Sequence, residues 1–327
     1  MLPTLKDSTW RTLWKKNLTQ WEALADFLEL DEAQREKLLK KSRFPLNLPW
    51  RLAEKVEKGT LDDPILKQFL PLKEELKMTE GFCSDPVGDQ TFSQSSKLIK
   101  KYHGRALLLV SSACAMHCRY CFRQNYPYEK ELKSFEKELE LIHQDPTLEE
   151  IILSGGDPLS LSDEKLEALF FQLAAIPHVK RLRIHTRFPL ALPERIDDSF
   201  LALVEGLTLP LTLVLHANHP RELDAHLFAH LDRLREKKVT LLNQAVLLKG
   251  VNDSVASLET LFLTLADHGI LPYYLHQLDR VQGASHFEVD LLHAKRLYTI
   301  LRERLPGYAL PRFVQEVSGD PSKRPLL

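Results

Sequence analysis

From Arg105 onward one pattern repeats six times: a short apolar run, then a longer amphipathic stretch. The apolar runs are "ALLLV" (106–110), "EIILS" (150–154), "RLRIH" (181–185), "LTLVLH" (211–216), "VTLLNQAVLL" (239–248) and "ILPYYLH" (270–276). Stretches such as 162–176, 221–238 and 254–269 carry the helical period between them. Strands that alternate with helices predict a parallel sheet covered by helices. Six units suit a doubly wound sheet or an open, partial barrel. No Gly-x-Gly-x-x-Gly follows the first run, which weakens the dinucleotide-binding version. Polar residues gather just after the run ends: the cysteines, Gly155-Gly156-Asp157, His185, His216, Gln244 and His276. That is where barrel active sites are built.

At 327 residues the chain has room for one large α/β barrel with an appendage, or for two domains. Residues 1–95 read as a helical segment with a wrapping linker. "DEAQREKLLKKS" from Asp31 has a cap residue and a leucine stripe, and "PWRLAEKVEKG" from Pro49 has Pro near its start and Gly at its end. The division expected is 1–95, a barrel over 96–305, and a C-terminal extension over 306–327. The fold class expected is α/β: a partial (β/α)6, TIM-like barrel with an N-terminal helical segment and a short extension closing the site. The N-terminus, "MLPTLKDSTWRTLWKKN", lacks a signal-peptide core, and no apolar run approaches a bilayer-spanning length. Formal net charge is -1, which does not point to nucleic acid. A cytoplasmic protein without a membrane partner is the default expectation.

Only four cysteines occur, and three stand within eight residues: Cys114, Cys118 and Cys121, spaced C-x-x-x-C-x-x-C. In the reducing cytosol such a set reads as thiolate ligands rather than disulfides. Soft sulfur suits iron–sulfur clusters and zinc. A structural zinc site usually takes four ligands in paired C-x-x-C spacing. The fourth cysteine, Cys83, stands alone in "GFCSDP", and no role is read for it. Three thiolates on a loop after the first strand suit a cubane cluster with one iron left open. Inert core cysteines rarely crowd a loop rich in Arg, Asn and Gln.

This motif, with the aromatic Tyr120 just before the last cysteine, resembles the radical S-adenosylmethionine superfamily. That resemblance implies a [4Fe–4S] cluster on Cys114, Cys118 and Cys121, whose open iron chelates S-adenosylmethionine and cleaves it to a 5′-deoxyadenosyl radical. It also implies that Gly155, Gly156 and Asp157 form the edge that meets the methionyl ammonium. A closer resemblance, over about 80–325, is to lysine 2,3-aminomutases. It rests on "KYHGRALLLV", "CRYCFRQ", "LSGGDPL", "IPHVKRLRIHTR", "NQAVLLKGVND", "PYYLHQLD" and "SKRPL". The short C-terminal end resembles the proteobacterial branch that supplies β-lysine for modification of elongation factor P by a separate ligase.

The resemblance implies an isomerase, an intramolecular aminotransferase that interconverts L-α-lysine and β-lysine by a radical 1,2-amino shift. It needs pyridoxal 5′-phosphate and an external one-electron reductant. Lys323 in "SGDPSKRPLL" stands where the family's pyridoxal lysine does, although longer members read four glycines where this chain reads Ser-Gly-Asp-Pro-Ser. Lys101, Tyr102 and Arg105 match the phosphate-contacting segment. Arg123 matches the arginine that binds the substrate carboxylate, and Asp279 and Glu316 match the two acids that meet its ε-ammonium. Long members carry Asp at the second place, so Glu316 is one methylene longer. His216 and Gln244 match positions lining the adenosylmethionine pocket. Two alternatives stay open: a radical aminomutase acting on another amino acid, and a non-enzymatic metal-binding module that docks on the translation-factor machinery.

Overall fold

The computed structural model describes residues 9–128 and 134–327. The first eight residues of the N-terminal stretch read above lie outside it. Nine strands form one sheet: β1 (Leu98–Tyr102), β2 (Arg105–Ser111), β3 (Glu150–Gly155), β4 (Arg181–Thr186), β5 (Leu211–Leu215), β6 (Thr240–Val246), β7 (Leu271–His276), β8 (Arg312–Gln315) and β9 (Arg324–Pro325). Their spatial order is their order in the sequence. A doubly wound sheet reverses direction at a switch point, and this one does not. Strands β2 to β8 are parallel, and the end pairs β1–β2 and β8–β9 are antiparallel. β1 and β9 are edges that share no ladder, so the barrel is partial and open.

The six expected strands are β2 to β7. Three more, β1, β8 and β9, escaped the sequence pattern. β1 is "LIKKY", with two lysines in five residues, and β9 is two residues long with a proline. Between strands, helices Asp163–Ala174, Ala225–Glu236 and Val255–Asp267 each bury one apolar stripe, for example Leu258, Leu261, Phe262 and Leu265. That spacing of three and four residues turns one face of a helix to the sheet. Side-chain caps fix where the helices begin. Asp224 accepts from the Leu227 N–H at 2.9 Å, and Ser254 accepts from the Ser257 N–H at 3.2 Å, each worth about 1 kcal/mol.

The N-terminal segment is less helical than its sequence suggests. "DEAQREKLLKKS" gives only Glu32–Glu36, opened by an Asp31/Gln34 capping box, because Leu38 leaves the helix to bridge Leu72. Tertiary pairing overrides local propensity there. The segment shares one apolar core with the barrel. Trp10 is buried, and both it and Trp14 meet Phe188 edge-on. The "WRTLWKKN" helix is therefore packed into the protein. Ion pairs Arg51–Asp224 and Arg221–Asp63 tie the segment to the barrel. Among the described residues no helix is long and apolar enough to cross a membrane.

Two glycines set how the cysteine loop leaves β2. A Cβ on Gly156 would stand 2.4 Å from the Ala113 carbonyl oxygen, and one on Gly155 (φ +120°) would stand 2.4 Å from that of Ser111. The backbones touch because the Gly156 N–H donates to Ser111 O at 2.6 Å and the Asp157 N–H to Ala113 O at 2.7 Å. We expect Gly156→Ala to lower stability by about 1–3 kcal/mol through overpacking, read as a fall in the urea midpoint. Gly206→Ala, at a helix end with nothing within 4 Å, serves as the control and should not fall. Equal midpoints for the two variants would contradict this packing account.

Candidate active site

Side chains alternate across each strand, and the alternate positions that turn away from the helices line one cavity. On β4 the helix side holds Leu182 and Ile184, and the inner side holds Arg183 and His185. Ser154 on β3, Gln244 on β6 and Tyr274 and His276 on β7 continue the inner lining. The cavity holds about 290 Å³. All three clustered cysteines reach it, as do Lys323, Asp279 and Glu316.

The cysteine loop is held from outside the barrel. The His117 N–H donates to Asn47 O at 3.0 Å, and the Arg119 N–H to Gln68 O at 2.8 Å. Asn17 Nδ2 reaches Ala115 O at 2.7 Å. Arg119 is fully buried and clamps the Glu75 carboxylate, with Nε to Oε1 at 2.7 Å. The N-terminal segment thus shapes the loop that presents the thiols. Burial pushes the Cys114 thiol well above its ordinary range, helped by Asp157 and the other two cysteines, and pushes Cys121 up to about 11. Thiols this reluctant to ionise need a nearby positive centre to become ligands, which a metal supplies. Among the described residues no three His, Cys, Asp or Glu side chains gather around a single metal ion. Zinc would hold its sulfurs at about 2.3 Å from one centre. A cluster instead gives each thiolate its own iron, and all three thiols line the cavity.

Two buried ring nitrogens at the cavity lack a protein partner. Nε2 of His185 and Nε2 of His276 make no hydrogen bond. Burial holds both imidazoles well below their usual pKa, so they stay neutral. His216 is pushed down to about 3 by burial, and Gln244 Nε2 contacts its Nε2 at 2.9 Å. Buried polar atoms without partners are rare, and these point to a molecule that supplies the missing bonds.

The acids and bases at the open seam are mostly paired. Glu316 bridges the two sheet edges: Oε1 accepts from the Tyr102 hydroxyl at 2.6 Å, and Oε2 from Lys323 Nζ at 2.5 Å. Burial pushes the Glu316 carboxyl up, but Lys323, Tyr102 and Lys101 outweigh it and hold the pKa below the usual value. Lys323 is positioned by β9, which pairs with β8 through Gln315 and Arg324, so the terminal stretch, itself exposed, holds Lys323 at the cavity. Lys101 Nζ meets Asp89 Oδ1 at 2.6 Å and Val87 O at 2.7 Å. Arg123 Nε meets Asp89 Oδ2 at 2.7 Å, and its Nη1 meets Ser154 at 3.2 Å. The Arg105 guanidinium lies over the Tyr102 ring at 4.8 Å.

Asp279 differs from these. Its carboxylate makes no side-chain hydrogen bond or ion pair among the described residues, and burial raises its pKa to about 7 against the pull of Lys323. Asp157 is raised to about 6 by burial, yet its oxygens are engaged by Thr186 Oγ1, the Arg187 N–H and the Leu159 N–H. It ties the end of β3 to the end of β4. The Tyr120 ring lines the cavity while its hydroxyl accepts from Arg187 Nη1 and from Asn218 Nδ2.

Every residue singled out in the sequence reaches this cavity. Asp89 and Arg187 were not singled out. Asp89 sits in the linker, where composition carries no signal. Arg187 stood within the matched "RIHTR" but past the strand end, where its reach could not be read.

Residues 108–261 match the Radical SAM superfamily model. An L-lysine 2,3-aminomutase of Escherichia coli (strain K12) is 42% identical over 99% of this chain and 96% of its own length. One from Haemophilus influenzae is 40% identical over 97% of this chain and 95% of its own. One from Fusobacterium nucleatum, a longer protein, is 32% identical over 98% of this chain and 76% of its own. With likeness on that scale across nearly every residue, the chain belongs to the L-lysine 2,3-aminomutase family of the radical SAM superfamily.

Proposed function

We propose that this chain is an L-lysine 2,3-aminomutase that moves the α-amino group of lysine to the β-carbon. The observation that supports this best is the meeting in one cavity of three thiols, Lys323 and an unpaired carboxylate. A [4Fe–4S] cluster with S-adenosylmethionine supplies the one-electron chemistry that removes a hydrogen atom, and pyridoxal phosphate supplies an electrophilic carbon for the migrating nitrogen.

The protein's own part is to bind, orient and exclude water. Cys114, Cys118 and Cys121 hold the cluster, and Gly155 and Gly156 keep the loop against β3. His216 and Gln244 fix polar atoms at the adenosylmethionine side. Lys101, Tyr102 and Arg105 form the phosphate end, at the β1 edge. Arg123, aligned by Asp89, offers Nη2 to the substrate carboxylate. Lys323 is the pyridoxal lysine. With Lys323 engaged by the cofactor, Lys101 at 3.7 Å would be the cation left to Glu316, and Asp279 and Glu316 together would attract the substrate's ε-ammonium. A neutral substrate tail would leave the Asp279 carboxylate unpaired, which argues against an amino acid lacking that cation. The chemistry also calls for an external one-electron reductant. Use of the product to modify elongation factor P, in the cytoplasm, follows from the resemblance to the short proteobacterial branch.

Lys323→Ala should lose bound pyridoxal absorbance and slow turnover by at least about 100-fold, while the iron content per chain stays at the wild-type value. Full retention of both cofactor and turnover would remove Lys323 from this role. Asp279→Asn should lower kcat/KM for lysine by roughly 2–5 kcal/mol, with norleucine, which lacks the ammonium, barely affected.

The carboxyl of Asp279, near 7 in the folded protein, is well above the ordinary carboxylate value. Its protonated form therefore favours the fold, and that contribution is lost as pH rises from about 4 through 7. Binding of a cation needs the ionised form, so lysine affinity should climb with pH up to about 7 and then level off. The climb should be absent in Asp279→Asn. A pH-independent affinity in the wild type, measured by calorimetry, would contradict the assignment of this acid.

A further inference from the structure

Behind Cys118 lies a buried ion pair that the chemistry above does not use. Arg187, just past β4, and Glu222, on the turn after β5, are both buried, Glu222 completely. Arg187 Nη2 donates to Glu222 Oε2 at 2.7 Å and to Gln68 Oε1 at 2.7 Å. Glu222 Oε1 in turn accepts from the His219 N–H at 2.9 Å, the Asn218 N–H at 3.1 Å and Gln68 Nε2 at 3.1 Å. The face of the guanidinium rests over the Phe69 ring at 5.1 Å. So fixed, the group turns Nη1 to the Tyr120 hydroxyl and to Cys118 Sγ, the latter at 2.8 Å.

The three thiols are not treated alike. Cys121 has a backbone N–H of Arg123 for its sulfur. Cys118 has a charged donor, held from the N-terminal segment, the β4 end and the β5 turn at once. Burying a guanidinium is costly unless it is paired and hydrogen-bonded, and a neutral thiol is a weak acceptor. A thiolate on an iron cluster is a strong one. Hydrogen bonds to cluster sulfurs stabilise the reduced, more negative state and so raise its potential.

We propose that Arg187 is a positioning residue that holds Cys118 by a charge-assisted hydrogen bond and raises the reduction potential of the cluster. This rests on the reading that Cys114, Cys118 and Cys121 carry a [4Fe–4S] cluster. Glu222 cancels most of the net charge, so the effect comes from the directed bond. Removing the bond while keeping neutrality should preserve the sign of the change.

The test compares full-length wild type, Arg187→Gln, Arg187→Lys and the double variant Arg187→Gln/Glu222→Gln, each reconstituted anaerobically with iron and sulfide. Iron per chain is counted, and the midpoint potential is read by a redox titration followed by electron paramagnetic resonance. Arg187→Gln should move the midpoint negative by roughly tenfold in the one-electron equilibrium, ~59 mV. The double variant should move in the same direction, and Arg187→Lys should recover part of the shift. A loaded Arg187→Gln cluster at the wild-type potential would overturn the proposal. So would loss of the cluster from both the single and double variants, which would make Arg187 a support of the fold only. A wild-type chain that takes up no four-iron cluster would instead overturn the cluster reading itself, and this inference with it.

Discussion

One carboxylate joins the two open edges of the barrel. The sheet runs from β1 to β9 in chain order and never closes by a ladder. Across the gap, Glu316 on the segment after β8 accepts from Tyr102 on β1 and from Lys323 beside β9. The pair is half-buried, and removing either member leaves the other without its partner at the seam, so the terminal strand leans on it. The seam therefore serves two ends. It fixes the last residues of the chain, and it places Lys323 at the cavity that the cysteines also line.

Charge balance inside this cavity follows from the same arrangement. Lys101 and Arg123 share Asp89, and Lys323 takes Glu316. Asp279 is left as the acid without a counter-ion, and burial holds it near pH 7. These charges balance in number, because two cations share Asp89, but none of them pairs with Asp279, which keeps a place for a cation of its own. Glu316 meets both Tyr102 and Lys323 with its one carboxylate. The N-terminal segment plays a comparable part at the cysteine loop, whose backbone Asn17, Asn47 and Gln68 hold.

Much of this was legible in the sequence, for physical reasons that differ from residue to residue. The alternation of apolar and amphipathic runs yielded β2 to β7 because a strand buried on its helix side must be apolar there. The thiol spacing was legible because few other uses exist for three cysteines in eight residues. Lys323 was legible only through likeness to a family, since "SGDPSKRPLL" has the composition of a tail. β8 and β9 are too short to carry a period, and they exist because they pair with one another and with β7. Asp89 sits in a stretch rich in Gly, Ser and Asp that reads as linker. Its importance comes from two cations that approach from β1 and from the cysteine loop. Arg187 and Glu222 are likewise made by long-range contact, 35 residues apart in the chain.

The most direct measurement is product analysis. Anaerobically reconstituted protein would be incubated with L-lysine, S-adenosylmethionine, pyridoxal phosphate and a strong reductant, and α-lysine separated from β-lysine. The account predicts β-lysine, formed with S-adenosylmethionine left largely unconsumed. Cleavage of S-adenosylmethionine with lysine unchanged would contradict the substrate assignment while leaving the radical machinery in place. No reaction of either molecule at a fully loaded cluster would contradict the account as a whole.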